Sequence, residues 1–243
     1  MKKFGLIGKT LSHSFSQSYF QKKFEAEGIQ DCSYENLEFP DETSLEEFLK
    51  TSVHLGLNIT IPYKEVVLNH TIQQSSEVDA IGAANVLKAT PQGWMAYNTD
   101  AHGVQCLLRP HLRGHHRRAL VLGTGGASKA VSYVLNNLGL DHILVSRAPG
   151  DGLATYDQLN ENAVRDFNLI VNTTPLGTHP DVTSCPDIPY EYLTENNLLI
   201  DLVYNPEETL FMSKGKEKGA MVANGLEMLK AQAEKAWAIW NEE

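Results

Sequence analysis

The stretch Ala119-Leu-Val-Leu-Gly-Thr-Gly-Gly-Ala-Ser-Lys-Ala130 decides the fold of the second half of the chain. Its leading apolar residues predict a strand covered on both faces, as the strands of parallel sheets are. The glycines then predict a tight turn, Val131–Leu138 a helix, and His142–Ser146 another strand. This order indicates a dinucleotide-binding unit, because glycines let the backbone approach a pyrophosphate held at the N-terminus of the helix.

The end of the second strand of this unit favours NADP over NAD. A carboxylate about 20 residues after the glycines would bind the ribose 2′-OH of NAD. The strand ends instead in Ser146 and Arg147, and a guanidinium pairs well with a 2′-phosphate. An ordinary surface arginine at a strand end is the alternative interpretation. Ser128 stands where such turns usually carry a third glycine, and residues 148–167 leave room only for a short helix around Tyr156–Leu159.

Two further strands are predicted in this half, at Asn168–Asn172 and Leu198–Tyr204. Polar residues follow each of them, beginning with Thr173 and Asn205. In open α/β sheets, ligands bind in the crevice at the carboxyl ends of the strands. The sequence therefore predicts that both strand ends face a ligand crevice.

The N-terminal part of the chain alternates between strand and helix patterns, which favours an α/β layer. A helix with Phe20 and Phe24 on one face follows Ser14 and Ser16, either of which can cap it, and a short helix is predicted at Ser44–Leu49. The predicted strands are Phe4–Ile7, Ser33–Phe39, Leu55–Ile61, Ile81–Leu87 and Trp94–Tyr97, the last two paired as a hairpin.

Within that part, the stretch Gly56-Leu-Asn-Ile-Thr-Ile-Pro-Tyr-Lys-Glu65 alternates between apolar and polar residues. The alternation predicts a strand with Leu57, Ile59 and Ile61 facing a core. Pro62 then ends the strand, because proline has no N–H for the next ladder bond.

Several polar groups gather around this strand end. Asn58 and Thr60 face away from the predicted core, and Lys64 follows the break. Together they can hold and protonate a small polar molecule, although by base rate Lys64 would be a surface lysine on a solvated edge. Asp100 follows the end of another predicted strand, and by itself it would be a helix N-cap.

The composition of the chain argues against several classes of protein. The 243 residues suffice for one large domain or two modest ones. The formal net charge of −10 is the reverse of what a nucleic-acid-binding protein normally shows. Cys32, Cys106 and Cys185 lack the spacing of a metal site or a disulfide framework. No apolar run approaches the roughly 18 residues of a membrane span, and a cytoplasmic protein without a membrane segment, metal or nucleic-acid partner is predicted.

Two further segments are interpreted structurally. His111–Arg118 contains three histidines and three arginines, but their spacing suits neither a helical metal site nor a zinc finger, so a solvated connection is predicted. Residues 225–240 have an apolar stripe at helical spacing and predict a packing helix, with Gln232 at the border of the stripe.

Eight motifs occur along the chain in one order, and that order is far more specific than any motif alone. With them the chain resembles shikimate dehydrogenases of the short bacterial form, over nearly its whole length. The motifs are Gly-Leu-Ile-Gly with Leu-Ser-His-Ser-Phe-Ser, Asn-Ile-Thr-Ile-Pro-Tyr-Lys-Glu, Gly-Ala-Ala-Asn, Asn-Thr-Asp, Gly-Thr-Gly-Gly-Ala, Asn-Thr-Thr-Pro-Leu-Gly, Asp-Leu-Val-Tyr-Asn-Pro and Gly-Leu-Glu-Met-Leu-Lys-Ala-Gln.

The resemblance implies two α/β domains with an active-site cleft between them. Residues 1–100 and 225–243 would form the substrate-binding domain, and residues 101–224 an inserted Rossmann-like NADP-binding domain. The implied reaction is the reversible, NADPH-dependent reduction of 3-dehydroshikimate to shikimate in chorismate and aromatic amino-acid biosynthesis, by a monomer or homodimer.

The resemblance also implies roles for particular residues. Lys64 and Asp100 would be the catalytic pair, with Lys64 protonating the carbonyl oxygen that receives the hydride and Asp100 orienting the lysine. The residues implied to bind substrate are Ser14, Ser16, Asn58, Thr60, Asn85, Tyr204 and Gln232. The residues expected to bind the cofactor are Gly123, Gly125, Gly126, Ala127, Ser146, Arg147, Thr173 and Gly225.

Four positions depart from the family pattern. Gln17 replaces a proline, and Val86 replaces a common threonine. Ser146 and Ala148 replace the first and last residues of what is usually an Asn-Arg-Thr cofactor motif. The basic residue and helix that usually follow that motif are missing, which bears on the strength of the NADP preference. Two alternatives stay open: a quinate/shikimate dehydrogenase that uses NAD, and a non-catalytic, ligand-binding regulator built on the same scaffold.

Overall fold

The computed structural model describes residues 1–11 and 14–242, so Ser12 and His13 of the Leu11–Ser16 motif lie outside the described residues. The chain divides into two compact units. The first consists of Met1–Thr99 with Ala233–Glu243, and the second is Asp100–Gln232.

The first unit is built on a six-stranded sheet with the order β2-β1-β3-β5-β6-β4. The parallel strands β1, β2 and β3 are continued by the antiparallel hairpin of β5 and β6. The strands are β1 (Lys2–Gly8), β2 (Cys32–Glu38), β3 (Gly56–Ile59), β4 (Thr71–Gln74), β5 (Val86–Thr90) and β6 (Gly93–Tyr97). The helices are α1 (Phe15–Glu27), α2 (Glu42–Thr51) and α3 (Ser76–Ile81).

One face of this sheet is covered by an aromatic cluster. Phe4 stacks on Trp240 with the ring centroids 5.0 Å apart, and Phe20 stacks on Tyr34 at 4.5 Å. A side chain at Gly56 would overlap the indole ring of Trp240, so the glycine is required by the close packing. The C-terminal residues are thereby part of the core of the first unit.

The structure corrects the predicted strand Leu55–Ile61. Strand β3 ends at Ile59 and a turn follows. Leu57 and Ile59 are buried as predicted, but Ile61 is 75% exposed. The prediction that Ile61 faces the core is wrong, because the alternation of faces stops where the strand stops.

The predicted strand Ile81–Leu87 is also wrong in its first half. Ile81 is the last residue of α3, and Gly82 closes that helix with a φ of 72° while its N–H donates to the carbonyl of Val78 at 2.7 Å. Strand β5 begins only at Val86. A glycine in the left-handed conformation ends a helix readily. Because apolar residues lie on both sides of it, the sequence pattern predicted one continuous strand.

The segment His111–Arg118 is less solvated than predicted. His116 is only 2% exposed, and its Nδ1 accepts a hydrogen bond from the backbone N–H of Arg113 at 3.0 Å. Burial lowers the pKa of the His116 ring. The connection is therefore anchored through a buried, neutral histidine.

The second unit is a parallel six-stranded sheet with the order β12-β11-β10-β7-β8-β9. Read from β9, this is the strand order of the dinucleotide-binding fold. Its strands are β7 (Arg118–Leu122), β8 (Asp141–Ser146), β9 (Leu153–Thr155), β10 (Leu169–Asn172), β11 (Leu198–Asp201) and β12 (Met221–Ala223). Its helices are α4 (Asp100–Leu108), α5 (Gly126–Asn137), α6 (Glu161–Asp166) and α7 (Leu210–Glu217).

Helix α8 (Leu226–Asn241) begins in the second unit, and its residues from Ala233 onward belong to the first. Within the described part of the chain, no helix is both long and apolar enough to cross a membrane.

The connection between β8 and β9 is unusually short for parallel strands. Parallel neighbours are normally joined by a crossover of a dozen residues or more, usually helical. Here only residues 147–152 intervene, and a 3₁₀ turn at Tyr156–Gln158 follows β9. The sequence predicted one short helix around Tyr156–Leu159, but the structure has only the 3₁₀ turn there and forms the short helix α6 (Glu161–Asp166) after it, which the sequence analysis missed.

Candidate functional site

The backbone of Lys64 is fixed from both sides. Tyr63 is buried, and its hydroxyl donates to the carbonyl of Phe39 at 2.6 Å. The carbonyl of Lys64 accepts a hydrogen bond from the N–H of Ala84 at 2.8 Å. The N–H of Thr60, four residues earlier, donates to the carbonyl of Ile7 at 2.8 Å. The half-buried lysine therefore projects from a rigid turn just beyond the carboxyl end of β3.

A buried hydroxyl connects two of the predicted substrate residues. Tyr34 is 5% exposed, and its hydroxyl donates to Oδ1 of Asn58 at 2.7 Å. The same hydroxyl is hydrogen-bonded to Ser16. Burial raises the pKa of the Tyr34 hydroxyl far above its usual range, against the smaller opposite effect of Ser16. The group is therefore neutral and acts only as a hydrogen-bonding bridge.

Asn85 is joined to the backbone ahead of Asp100. Oδ1 of Asn85 accepts from the N–H of Thr99 at 2.6 Å, and Nδ2 donates to Oγ1 of Thr99 at 3.0 Å. Both residues are buried. Asn85 also lies beside Asn58, whose Nδ2 donates to the Asn85 carbonyl at 3.4 Å. The structure thus brings Ser16, Asn58 and Asn85 into one hydrogen-bonded group.

The side chains in this part of the first unit are rich in hydrogen-bond donors. Tyr34 occupies the carbonyl oxygen of Asn58, so the Asn58 amide turns its N–H groups away from Tyr34. Ser14 stands at the N-cap position of α1 without capping the helix, and its buried Oγ has no hydrogen-bond partner among the described residues. Amide and hydroxyl donors together with an ammonium group suit a ligand with carboxylate and hydroxyl oxygens.

In the second unit, the glycine turn after β7 leaves space for a ligand. Gly123 has a φ of 106°, and a side chain there would lie 2.8 Å from Oγ1 of Thr173. Gly125 and Gly126 face open space at the first turn of α5. Thr173 is held in place because its N–H and its Oγ1 both donate to the carbonyl of Leu122, at 3.0 and 2.7 Å. The turn therefore fits a pyrophosphate at a helix N-terminus.

The structure shows why a serine fits at position 128 of this turn. Its side chain is buried, and its Oγ donates to the carbonyl of Gly125 at 2.6 Å. The hydroxyl thus closes the turn from within, so that a serine is accommodated where a third glycine is usual.

Arg147 and Tyr156 directly follow Ser146 of β8 and Thr155 of β9, which pair across the two strands. Burial raises the pKa of the half-buried Tyr156 hydroxyl, and the positive charge of Arg147 opposes that shift. Ser146 accepts a hydrogen bond from the N–H of Ala148 at 3.3 Å, which shapes the turn that presents the exposed Arg147. An exposed guanidinium at this strand end fits the 2′-phosphate of NADP.

Two buried residues that the sequence analysis did not single out, Asn172 and Asp201, connect the loops that follow β10 and β11. Asn172 and Asp201 are fully buried, and Nδ2 of Asn172 donates to Oδ1 of Asp201 at 2.9 Å. Asn172 also accepts from the N–H of Thr174 at 3.0 Å, and Asp201 from the N–H of Val203 at 3.0 Å and Oγ1 of Thr209 at 2.6 Å. Burial raises the pKa of the Asp201 carboxyl to about 6, against these hydrogen bonds.

We expect Asp201→Asn to change the pH dependence of unfolding. Between the unfolded value near 3.9 and the folded value, the folded state keeps a proton that the unfolded state has lost. The contribution of Asp201 to the free energy of unfolding therefore falls as pH rises through about 4 to 6. Urea unfolding should show wild type losing about 3 kcal/mol relative to the variant over this range.

The exposed Asp151→Asn is the matched control for removing a surface carboxylate. A wild type whose free energy of unfolding rises relative to that of Asp201→Asn as pH increases would contradict the expectation. It would mean that the three hydrogen-bond donors outweigh burial.

The remaining predicted residues lie in the second unit. Asp100 is buried in the first turn of α4, where the helix dipole favours a carboxylate. Tyr204 follows β11, and burial raises the pKa of its hydroxyl. Gly225 donates its N–H to the carbonyl of Val203 at 3.2 Å. Gln232 lies on α8. No cluster of three or more His, Cys, Asp or Glu side chains suited to a metal ion occurs in residues 1–11 and 14–242.

The matching family model and two curated relatives name one family. The family model of the shikimate dehydrogenase substrate binding domain matches residues 6–87. The shikimate dehydrogenase (NADP(+)) of Caldicellulosiruptor saccharolyticus is 34% identical over 99% of this chain and 92% of the relative. That of Clostridium beijerinckii is 36% identical over 100% of this chain and 93% of the relative.

A solved structure supports the same conclusion. The crystal structure of shikimate 5-dehydrogenase from Thermus thermophilus, in complex with NADP(H) and shikimate, has a TM-score of 0.86 to this chain at 31% identity. The match covers 99% of this chain and 94% of the other. The family resemblance of the motifs and the α/β fold are thereby confirmed, and the chain belongs to the shikimate dehydrogenase family.

Proposed function

We propose that this chain is an NADP-dependent shikimate dehydrogenase that catalyses the reversible reduction of 3-dehydroshikimate to shikimate. One observation carries the proposal: relatives named for this activity align with nearly the whole chain, through both units. The cytoplasmic location and the monomeric or homodimeric state stay predictions of the sequence.

The substrate is bound, in this proposal, by Ser14, Ser16, Asn58, Thr60, Asn85, Tyr204 and Gln232. The donor-rich group of the first unit supports the assignment, because shikimate carries one carboxylate and several hydroxyl groups. The unpartnered Oγ of Ser14 is suited to a carboxylate oxygen. The N–H groups of Asn58 are suited to the lone pairs of a ring hydroxyl.

Lys64 is the proposed proton donor and Asp100 the group that orients it and stabilises its charge. NADPH supplies the hydride when bound. The carbonyl oxygen gains negative charge as the hydride arrives, so a nearby ammonium both stabilises that charge and donates the proton. In the oxidative direction, the same lysine accepts the proton of the substrate hydroxyl. The rigid turn around Lys64 supports the assignment, because an acid must be held in place to act.

NADP is held, in this proposal, by Gly123, Gly125, Gly126, Ala127, Ser146, Arg147, Thr173 and Gly225. The open space at the glycine turn supports a pyrophosphate there. The guanidinium of Arg147 is proposed to pair with the 2′-phosphate, and the domain of residues 101–224 is proposed as the cofactor-binding one.

The test is a comparison of initial rates for the purified full chain with NADPH and NADH, each against 3-dehydroshikimate and 3-dehydroquinate. The proposal expects the highest kcat/KM for NADPH with 3-dehydroshikimate. Comparable efficiency with NADH and 3-dehydroquinate would instead support a quinate/shikimate dehydrogenase. Shikimate binding without turnover for any pair would support a ligand-binding regulator and overturn the proposal.

A further inference from the structure

We propose that Tyr34 is a positioning residue for substrate recognition. This proposal rests on the proposed function. Its hydroxyl joins Ser16 to Asn58 and fixes which atoms of these side chains face the substrate. Tyr34 itself has no place among the predicted substrate-binding residues, and its ring faces the aromatic core.

The sheet places Tyr34 to make this connection. Tyr34 on β2 pairs with Phe4 of β1, which in turn pairs with Gly56 of β3. Asn58 lies two residues beyond Gly56 and therefore projects from the same face. The tyrosine side chain reaches diagonally across β1 to Asn58, while Ser16 comes to the same hydroxyl from the first turn of α1.

The ring of Tyr34 is held independently of its hydroxyl. It stacks on Phe20 with an interplanar angle of 17°, and its centroid lies 6.4 Å from that of Trp240. A phenylalanine at this position keeps these contacts and removes one oxygen atom. The role of the hydroxyl can therefore be tested apart from the role of the ring.

The bridge determines the orientation of the Asn58 amide. The Tyr34 hydroxyl proton is used on Oδ1 of Asn58, and the carbonyl of Asn85 accepts from Nδ2 of Asn58. The reverse amide orientation would set two carbonyl oxygens against each other. With Tyr34 present, Asn58 therefore offers the substrate an N–H donor. Without the hydroxyl, the amide is free to rotate and Ser16 loses its partner.

Removing the Tyr34 hydroxyl is expected to change KM for the substrate but not KM for the cofactor. Tyr34→Phe is expected to raise KM for 3-dehydroshikimate roughly tenfold, because the side chains of Asn58 and Ser16, two proposed ligand groups, lose their fixed orientation. KM for NADPH is expected to stay within about twofold, since the bridge lies wholly among residues of the first unit. A merely structural role would lower the active fraction and leave both KM values unchanged.

The experiment combines steady-state kinetics with a double-mutant cycle. Tyr34→Phe and Asn58→Ala are measured singly and together, and their effects on kcat/KM are expected to be clearly less than additive, because both act through one contact. Tyr97→Phe is the matched control, since its hydroxyl lies 3.8 Å from Sδ of Met95, a weak acceptor that is not part of the bridge. It is expected to leave both KM values unchanged.

The outcomes separate this proposal from the proposed function. An active wild type with an unchanged KM for 3-dehydroshikimate in Tyr34→Phe, or with additive effects in the cycle, overturns the role of Tyr34 alone. A wild type that does not reduce 3-dehydroshikimate overturns the proposed function and the role of Tyr34 in it. The melting temperature of Tyr34→Phe checks that the fold is intact, and the loss of one buried hydrogen bond is expected to lower it by only a few degrees.

Discussion

Replacing Lys64 with alanine is expected to lower kcat for the reduction of 3-dehydroshikimate by roughly 100- to 10,000-fold, the range of general acid catalysis. The variant loses the ammonium that protonates the developing alkoxide. KM should change far less, because the donors of Ser14, Asn58 and Asn85 remain. The backbone at this position is fixed by Tyr63 and by the bond from Ala84, so the turn is expected to keep its shape.

The measurement is a pair of steady-state titrations, one for each substrate, together with the binding constant for shikimate. Lys64→Met retains the aliphatic stem and separates the charge from the packing of the side chain. Lys50→Ala is the matched control, because this lysine lies on the surface in an ion pair with Glu46. Near-normal turnover in Lys64→Ala would remove Lys64 from the chemistry and assign the proton to another group.

The order of elements in both units follows from local patterns in the sequence. The apolar strand before Gly123 lies in a parallel sheet between β8 and β10 as predicted, and the helix predicted after it is α5. Element ends were less predictable. Ile61 and Ile81 are apolar residues next to strand or helix ends, and only the turn at Pro62 and the left-handed Gly82 decide their state.

The buried polar connections of the candidate site were not predictable from the sequence. Tyr34 sits in an alternating strand, where an aromatic residue indicates only a core position. Its partners Ser16 and Asn58 are distant in the chain, and nothing local shows that they meet. Asp201 and Asn172 end two strands, and their pairing depends on which strands are neighbours. Such contacts are properties of the sheet order, which a single strand does not encode.

Arg147 is expected to carry most of the preference for NADPH over NADH. No other basic residue occurs between Arg147 and Thr155, and Asp151 adds a negative charge to the segment. The short link between β8 and β9 also leaves no helix there to contribute a second cation. One charge-assisted contact to a phosphate is worth about 1.5–3 kcal/mol, which corresponds to roughly 10- to 100-fold in affinity.

Arg147→Ala should therefore raise KM for NADPH by about that factor and leave KM for NADH nearly unchanged, so that the two cofactors approach parity. Arg147→Lys should retain part of the preference, since an ammonium keeps the charge but not the planar fork of the guanidinium. Arg165→Ala, at an exposed position on α6, is the control for loss of a positive charge.

Equal increases of KM for NADPH and NADH in Arg147→Ala would contradict the assignment, because a contact to the 2′-phosphate has no counterpart in NADH. Such a result would instead indicate that Arg147 contacts the adenine or the shared pyrophosphate. A loss of affinity for NADPH alone in Arg147→Ala, with Arg165→Ala unchanged for both cofactors, would distinguish recognition of the 2′-phosphate from recognition of the parts that the cofactors share.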